Sequence, residues 1–298
     1  MAEITLLDGS IGQEVVKRSG DRATPLWSTA VMLDRPEVVG GIHADYFAAG
    51  ATIATTNTYA VLRDRLQRAG LEGRFEELLE KAAVQAVAAR NTHGSGRVAA
   101  ALGPLIASYR PDICPPHDEA KHIYAELVAL LEPSADLFLI ETVSSAEHAK
   151  GALQGCAETD KPVWLAASVS DEDGTSLRSG EPLSALKPLI GEFQPDAVLL
   201  NCSRPEVISA GLEIAKSFGR PFGAYANGFT RISEGFLQDA PTVDALEQRR
   251  DLGPAAYADF AMAWVAQGAA IVGGCCEVGP HHISELARRL RAAGHRIV

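Results

Sequence analysis

The chain has 298 residues, enough to bury a large core and an ordinary length for one α/β barrel domain. Its 27 Lys and Arg stand against 38 Asp and Glu, a net charge of −11 without an acidic block, which argues against nucleic acid, whose phosphates need basic partners. Five cysteines (114, 156, 202, 275 and 276) are too few and too uneven for a disulfide framework, and no apolar stretch approaches the roughly 18 residues of a membrane span.

From the N-terminus onward, short apolar runs alternate with helical patterns. Ile4–Leu7 reads as the first strand, followed by a long segment, Asp8–Arg35, and a helix at Pro36–Ala49. Thr52–Thr55 is the second strand and Gly73–Asn91 its helix; Val98–Leu102 and Asp118–Leu131 form the third pair. Leu137–Ile140 with Ser145–Glu158, Val163–Ala167 with Pro182–Ile190, and Ala197–Leu200 with Pro205–Phe218 continue the alternation. Pro221–Ala226 with Gly253–Gln267 and Ala269–Val272 with Pro280–Ala293 complete it. Pro36, Pro205 and Pro280 suit a first helical turn, Ser145 suits an N-cap, and Gly50 and Gly219 stand where helices should stop.

Eight strands each followed by a helix is the pattern of a (β/α)8 TIM barrel, with a doubly wound open sheet as competitor. One domain over 1–298 is expected, without repeat or linker. The long segments Asp8–Arg35, Gly103–His117, Ser168–Glu181 and Asn227–Leu252 follow strands, which places the working face at the C-terminal strand ends. The start, Met1-Ala2-Glu3-Ile4-Thr5, shows no signal-peptide pattern, and an odd number of cysteines favours a reducing compartment; a soluble cytoplasmic protein is expected.

Three thiols end up at that face: Cys202 after the sixth strand, and Cys275-Cys276 after Gly273-Gly274 at the eighth. Buried structural cysteines or a vicinal disulfide would be the bland alternatives. Three thiolates from two strand ends suit a zinc ion that keeps one position open. Adjacent residues on a regular strand face opposite ways, so Cys275 and Cys276 must leave the strand to share a metal, and Gly273 and Gly274 offer the backbone freedom. Soft thiolates leave zinc weakly electrophilic, which favours sulfur alkylation over hydrolysis: another thiol, with a pKa of roughly 8.5 when free, is deprotonated on coordination.

Asp8 and Glu141, at the first and fourth strand ends, suit the ammonium group of an amino-acid thiol, and the turn Gly9-Ser10-Ile11-Gly12 can offer N–H groups to its carboxylate. Trp27 and Tyr59 offer aromatic faces to a methylated cation, with ordinary packing as the alternative. The lysines at 17, 81, 121, 150, 161, 187 and 216 fall in loops or helices, which disfavours Schiff-base chemistry, and His281-His282 fall in the last helix.

These pieces together resemble the homocysteine S-methyltransferase family along nearly the whole chain: Leu7-Asp8-Gly9-Ser10-Ile11-Gly12-Gln13-Glu14, Pro25-Leu26-Trp27-Ser28, Ala54-Thr55-Thr56-Asn57-Thr58-Tyr59, Glu141-Thr142, Asn201-Cys202 and Gly273-Gly274-Cys275-Cys276. The resemblance implies a (β/α)8 barrel and zinc held by Cys202, Cys275 and Cys276. It implies homocysteine placed by Asp8 and Glu141, with Asn201 at the same strand end as Cys202, and in-line methyl transfer giving methionine. Ser10 departs from the smaller residue usual in the family. Among donors, Pro25-Leu26-Trp27-Ser28 resembles the users of small sulfonium compounds such as S-methylmethionine, and Ala60 stands where betaine users tend to carry an aromatic. A betaine- or corrinoid-dependent enzyme, a zinc enzyme alkylating another thiol or a selenol, and a non-catalytic zinc-binding barrel are the alternatives.

Overall fold

The computed structural model describes residues 1–20, 26, 28–230 and 247–298. Eight parallel strands, β1 (Glu3–Leu6), β2 (Ile53–Thr55), β3 (Arg97–Leu102), β4 (Leu137–Val143), β5 (Val163–Ala167), β6 (Ala197–Asn201), β7 (Phe222–Ala226) and β8 (Ile271–Gly274), pair in sequence order, and β8 returns to β1. The remaining seam, between β1 and β2, is closed by the Thr52 N–H donating to the Leu6 carbonyl at 2.7 Å. A ninth strand, β9 (Arg296–Ile297), which the sequence did not suggest, pairs with the lower half of β1. Its neighbour Val298 accepts from the Thr52 hydroxyl at 2.7 Å, so the C-terminus seals the same seam. The molecule is the expected (β/α)8 barrel.

Strands buried on both faces read as continuous apolar runs, which is why all eight were visible. Alternate residues separate into two cores. Leu137, Leu139, Trp164, Ala166, Leu199 and Tyr225 fill the barrel interior. Phe138, Ile140, Leu165, Ala167, Val198 and Leu200 meet the surrounding helices. Carried two residues further, the inward series Leu137–Leu139 reaches Glu141, and Leu199 reaches Asn201, so strand parity aims both at the barrel mouth.

The helices form where polar and apolar residues repeat at helical spacing. In α3 (Pro36–Ala49), Val39, Ile42, His43, Tyr46 and Phe47 form one buried face, and Gly50 ends the helix in the left-handed region at φ 108°. A side chain on Gly50 would be strained there and would meet Ala287 Cβ at 2.9 Å. The helices α5 (Phe75–His93), α6 (His117–Leu131), α7 (Ala146–Gly155), α9 (Pro205–Lys216), α10 (Pro254–Ala266) and α11 (Pro280–Ala292) match expectation to within about two or three residues at the ends. Ser145 caps α7 by accepting from the His148 N–H at 3.1 Å. The Pro182–Ile190 helix is instead a 3₁₀ turn at Leu183–Leu186 leading into α8 (Lys187–Phe193). Segments read as loop contain α1 (Ile11–Arg18), α2 (Ser28–Asp34) and α4 (Arg63–Arg68), each too short to show a sustained period. Among the described residues, no helix is long and apolar enough to cross a membrane.

Candidate active site

The strand ends open into one cavity of about 110 Å³, walled by Asp8, Glu141, Tyr225 and the thiols of Cys202, Cys275 and Cys276. The three sulfurs lie within 4.8 Å of one another, and Cys202 Sγ and Cys275 Sγ are 2.7 Å apart. Cys114 follows a 3₁₀ turn in the loop after β3, and Cys156 is buried at the end of α7; neither belongs to this group.

Gly273 and Gly274 are not the hinge that the sequence suggested. Both remain within β8, and neither takes a positive φ. They are needed for close approach: a Cβ on Gly273 would lie 2.4 Å from Leu7 Cβ, and one on Gly274 2.1 Å from Val278 Cγ1. The left-handed steps occur at Glu277 (φ 64°) and at Cys202 itself (φ 50°), conformations that cost a non-glycine residue about 1–3 kcal/mol unless neighbours hold them. Glu277 is held by Gln13, which accepts from its N–H at 2.5 Å and donates to its carboxylate at 2.7 Å, and by Lys17 at 2.7 Å.

The thiols share charge unequally. Burial works against a thiolate at Cys202, but hydrogen bonds from Cys275, Cys276, Thr142 and Tyr109 outweigh it and hold the thiol well below its ordinary range. Cys275 and Cys276, each hydrogen-bonded to the Cys202 sulfur, are pushed up instead. Three converging soft donors on the wall of an open cavity fit a thiophilic divalent metal with a free position.

Two carboxyl groups face the thiols. Asp8 is 3 % exposed and accepts from the Thr55 N–H (2.6 Å) and hydroxyl (2.7 Å). Burial nevertheless raises its pKa to about 7, against those hydrogen bonds. Glu141 accepts from the Tyr225 hydroxyl at 2.9 Å. Burial first, then the charge on Cys202, raises its pKa to about 8. A cation in the cavity would reverse both shifts.

Glu141 is aimed by a backbone irregularity. Between the pairs Ile140–Leu165 and Val143–Ala167 the β4–β5 register slips by one residue, and Thr142 takes φ 59°. This bulge frees the Thr142 N–H, which donates to Asn201 Oδ1 at 3.1 Å, while Asn201 Nδ2 donates to the Thr142 hydroxyl at 3.3 Å. Asn201, fully buried and engaged in this way, thus stands behind the cavity wall and supports it. Tyr59 lines the cavity, its hydroxyl 2.8 Å from that of Ser108. Trp27 lies outside the described residues. The Gly9–Gly12 turn opens α1, and Ile11 and Gly12 present the helix N-terminus to the cavity, but the Ser10 N–H is taken by the Val278 carbonyl at 3.0 Å.

A family model described as homocysteine S-methyltransferase matches residues 5–290. The chain belongs to the homocysteine S-methyltransferase family. The homocysteine S-methyltransferase of Escherichia coli is 28 % identical over 308 residues, covering 96 % of this chain and 95 % of that protein. Homocysteine S-methyltransferase YbgG of Bacillus subtilis is 26 % identical over 310 residues, covering 97 % and 95 %. The metallated crystal structure of the homocysteine methyltransferase MmuM from Escherichia coli superposes with a TM-score of 0.81 at 26 % identity, covering 96 % of each chain. A selenocysteine Se-methyltransferase from Brassica oleracea is 25 % identical over 321 residues, covering 96 % of this chain and 88 % of that protein. Methyl transfer to homocysteine is thus the activity of the family to which this barrel belongs.

Several residues that shape this methyltransferase cavity went unnoticed in the sequence. Tyr225 sits inside β7, where an inward tyrosine reads as core. Ser108 and Tyr109 lie in the long segment after β3, whose length was the only signal. Ser28 and Asn57 belong to motifs quoted from the sequence but carried no role there; Ser28, at the start of α2, donates to Asn57 at 2.6 Å, and both line the cavity.

Proposed function

We propose that this chain catalyses zinc-dependent transfer of a methyl group from a small sulfonium donor, S-methylmethionine or a close relative, to the thiol of homocysteine, giving methionine. The observation that carries it is the meeting of three thiols and two buried, charge-starved carboxyl groups across one cavity. Cys202, Cys275 and Cys276 would hold the metal, which when bound supplies a site where a thiol is kept as thiolate near neutral pH. Asp8 and Glu141 would bind the substrate ammonium, and the start of α1 its carboxylate. Tyr59, with Trp27, would offer π-faces to the cationic donor. A sulfonium donor releases a neutral thioether, a better leaving group than the tertiary amine released by betaine. Residues 1–298 would act as one homocysteine-binding unit in the cytoplasm, where thiols stay reduced.

The test is methionine formation by the metal-loaded protein with homocysteine and, in turn, S-methylmethionine, S-adenosylmethionine, betaine and methylcobalamin. A sulfonium donor is expected to exceed betaine at least about tenfold in kcat/KM, a difference of about 1.4 kcal/mol. Faster turnover with betaine, or dependence on a methylcobalamin protein, would overturn the donor assignment. A selenocysteine arm decides whether the acceptor is a thiol or a selenol.

A further inference from the structure

Cys202 holds a left-handed backbone conformation that few non-glycine residues adopt without support, so something must impose it. That support comes from the segment after β5. The Cys202 carbonyl accepts from the Ser168 hydroxyl at 3.2 Å and from Arg178 Nη2 at 3.0 Å. Arg178 also donates through Nε to Ser168 at 3.0 Å, and its Nη1 and Nη2 form a fork on Asp171 at 2.8 and 2.9 Å. Asp171 accepts in addition from the N–H of Arg204, two residues beyond Cys202, at 2.9 Å. One ion pair, its side chains only 12 and 13 % exposed, therefore grips the chain at Cys202 and just after it.

The same guanidinium lies 5.3 Å from the centroid of the Tyr109 ring, and the Tyr109 hydroxyl hydrogen-bonds the Cys202 sulfur. Arg178 thus touches both the backbone that carries the thiol and the ring that donates to it. A lysine could supply the charge but not a planar fork reaching Asp171, Ser168 and a carbonyl together.

We propose that Arg178, braced by Asp171, is a positioning residue that fixes the direction of the Cys202 thiol toward the metal. This rests on the reading of Cys202 as a metal ligand. The test is the affinity of the full chain for zinc, by competition with a chromophoric chelator, together with the thiolate-to-metal charge-transfer band of the cobalt(II)-loaded protein. The proteins compared are wild type, Arg178→Met, Arg178→Lys and Cys202→Ala. Loss of a correctly oriented ligand should weaken zinc binding roughly tenfold to a hundredfold in Arg178→Met, with a changed charge-transfer band. Arg178→Lys should recover only part of it, and it decides the matter by itself if Arg178→Met does not fold. Lowered thermal stability in both variants with zinc affinity within about twofold of wild type and an unchanged cobalt spectrum would make the ion pair merely structural and overturn the proposal. Wild type that fails to bind zinc, or Cys202→Ala that binds it equally well, would instead overturn the metal reading and the inference with it.

Discussion

Replacing Glu141 by glutamine isolates the role of charge in recognising the amino acid. The amide has the shape of the carboxylate, and its oxygen can still accept from the Tyr225 hydroxyl, now at 2.9 Å from Glu141, so the wall should survive. What is lost is a charge-assisted hydrogen bond to the substrate ammonium, worth about 1.5–3 kcal/mol, or roughly 10- to 150-fold in Kd. Asp8, held by Thr55, remains, so binding is weakened and not abolished. The pH dependence has a definite sign. With the Glu141 pKa near 8 and that of Asp8 near 7, both raised chiefly by burial, the ligand-free carboxyl groups are largely protonated below pH 7. An ammonium must displace those protons, so affinity should rise as pH increases from 6 to 8, and less steeply in Glu141→Gln. Calorimetric titration with homocysteine and with 4-mercaptobutyrate, which lacks the amino group, reads both effects, the Glu141→Gln loss on the zinc-loaded protein and the pH dependence on the metal-free protein. Equal loss of affinity for the two ligands, or none for homocysteine, would refute the ammonium role.

Other expectations follow from the same geometry. Cys202→Ala, Cys275→Ala and Cys276→Ala should each lose most of about one zinc per chain by elemental analysis. Cys114→Ala and Cys156→Ala should keep it, and a Cys114 as necessary as Cys276 would disprove the grouping. His43 and His148, both fully buried with pKa lowered to about 4 by burial, should remain neutral by NMR titration down to that pH. Their folded pKa is depressed, so the stability they contribute is complete above about 6.5 and is withdrawn as pH falls toward 4; titration of either ring near 6.5 would contradict this. Gly273→Ala should destabilise the protein by about 1–3 kcal/mol through overpacking against Leu7, measured by denaturant unfolding. Unchanged unfolding would mean that the barrel wall yields.

The fold was legible because a barrel strand buried on both faces is an uninterrupted apolar run, and the run needs no partner to be recognised. The lysines were rightly set aside: Lys17, Lys81, Lys121, Lys150, Lys187 and Lys216 all lie on helices. The thiols were legible because their chemistry travels with residue type, and three of them stood at strand ends. Backbone detail was not. The clearance that Gly273 and Gly274 provide is a contact between β8 and residues 7 and 278, distant or turned back in the chain, and no local pattern records it.

The same distinction separates Glu141 from the device that aims it. Its place at a strand end follows from apolar periodicity, two residues beyond Leu139 on the inward series. Its direction depends on one extra residue in β4, a left-handed Thr142, and an asparagine fifty-nine positions later that receives the freed N–H. Asn201 read as a site residue because it adjoins Cys202; its amide in fact completes the bulge of a neighbouring strand. A polar residue next to a candidate ligand in sequence can thus serve a different strand in space. The Glu141 carboxyl group and the Cys202 thiol are consequently coupled: Thr142, next to Glu141, joins Asn201 through its backbone and hydrogen-bonds the Cys202 sulfur through its hydroxyl. A change at Asn201 would therefore disturb the amino-acid side and the metal side of the cavity together.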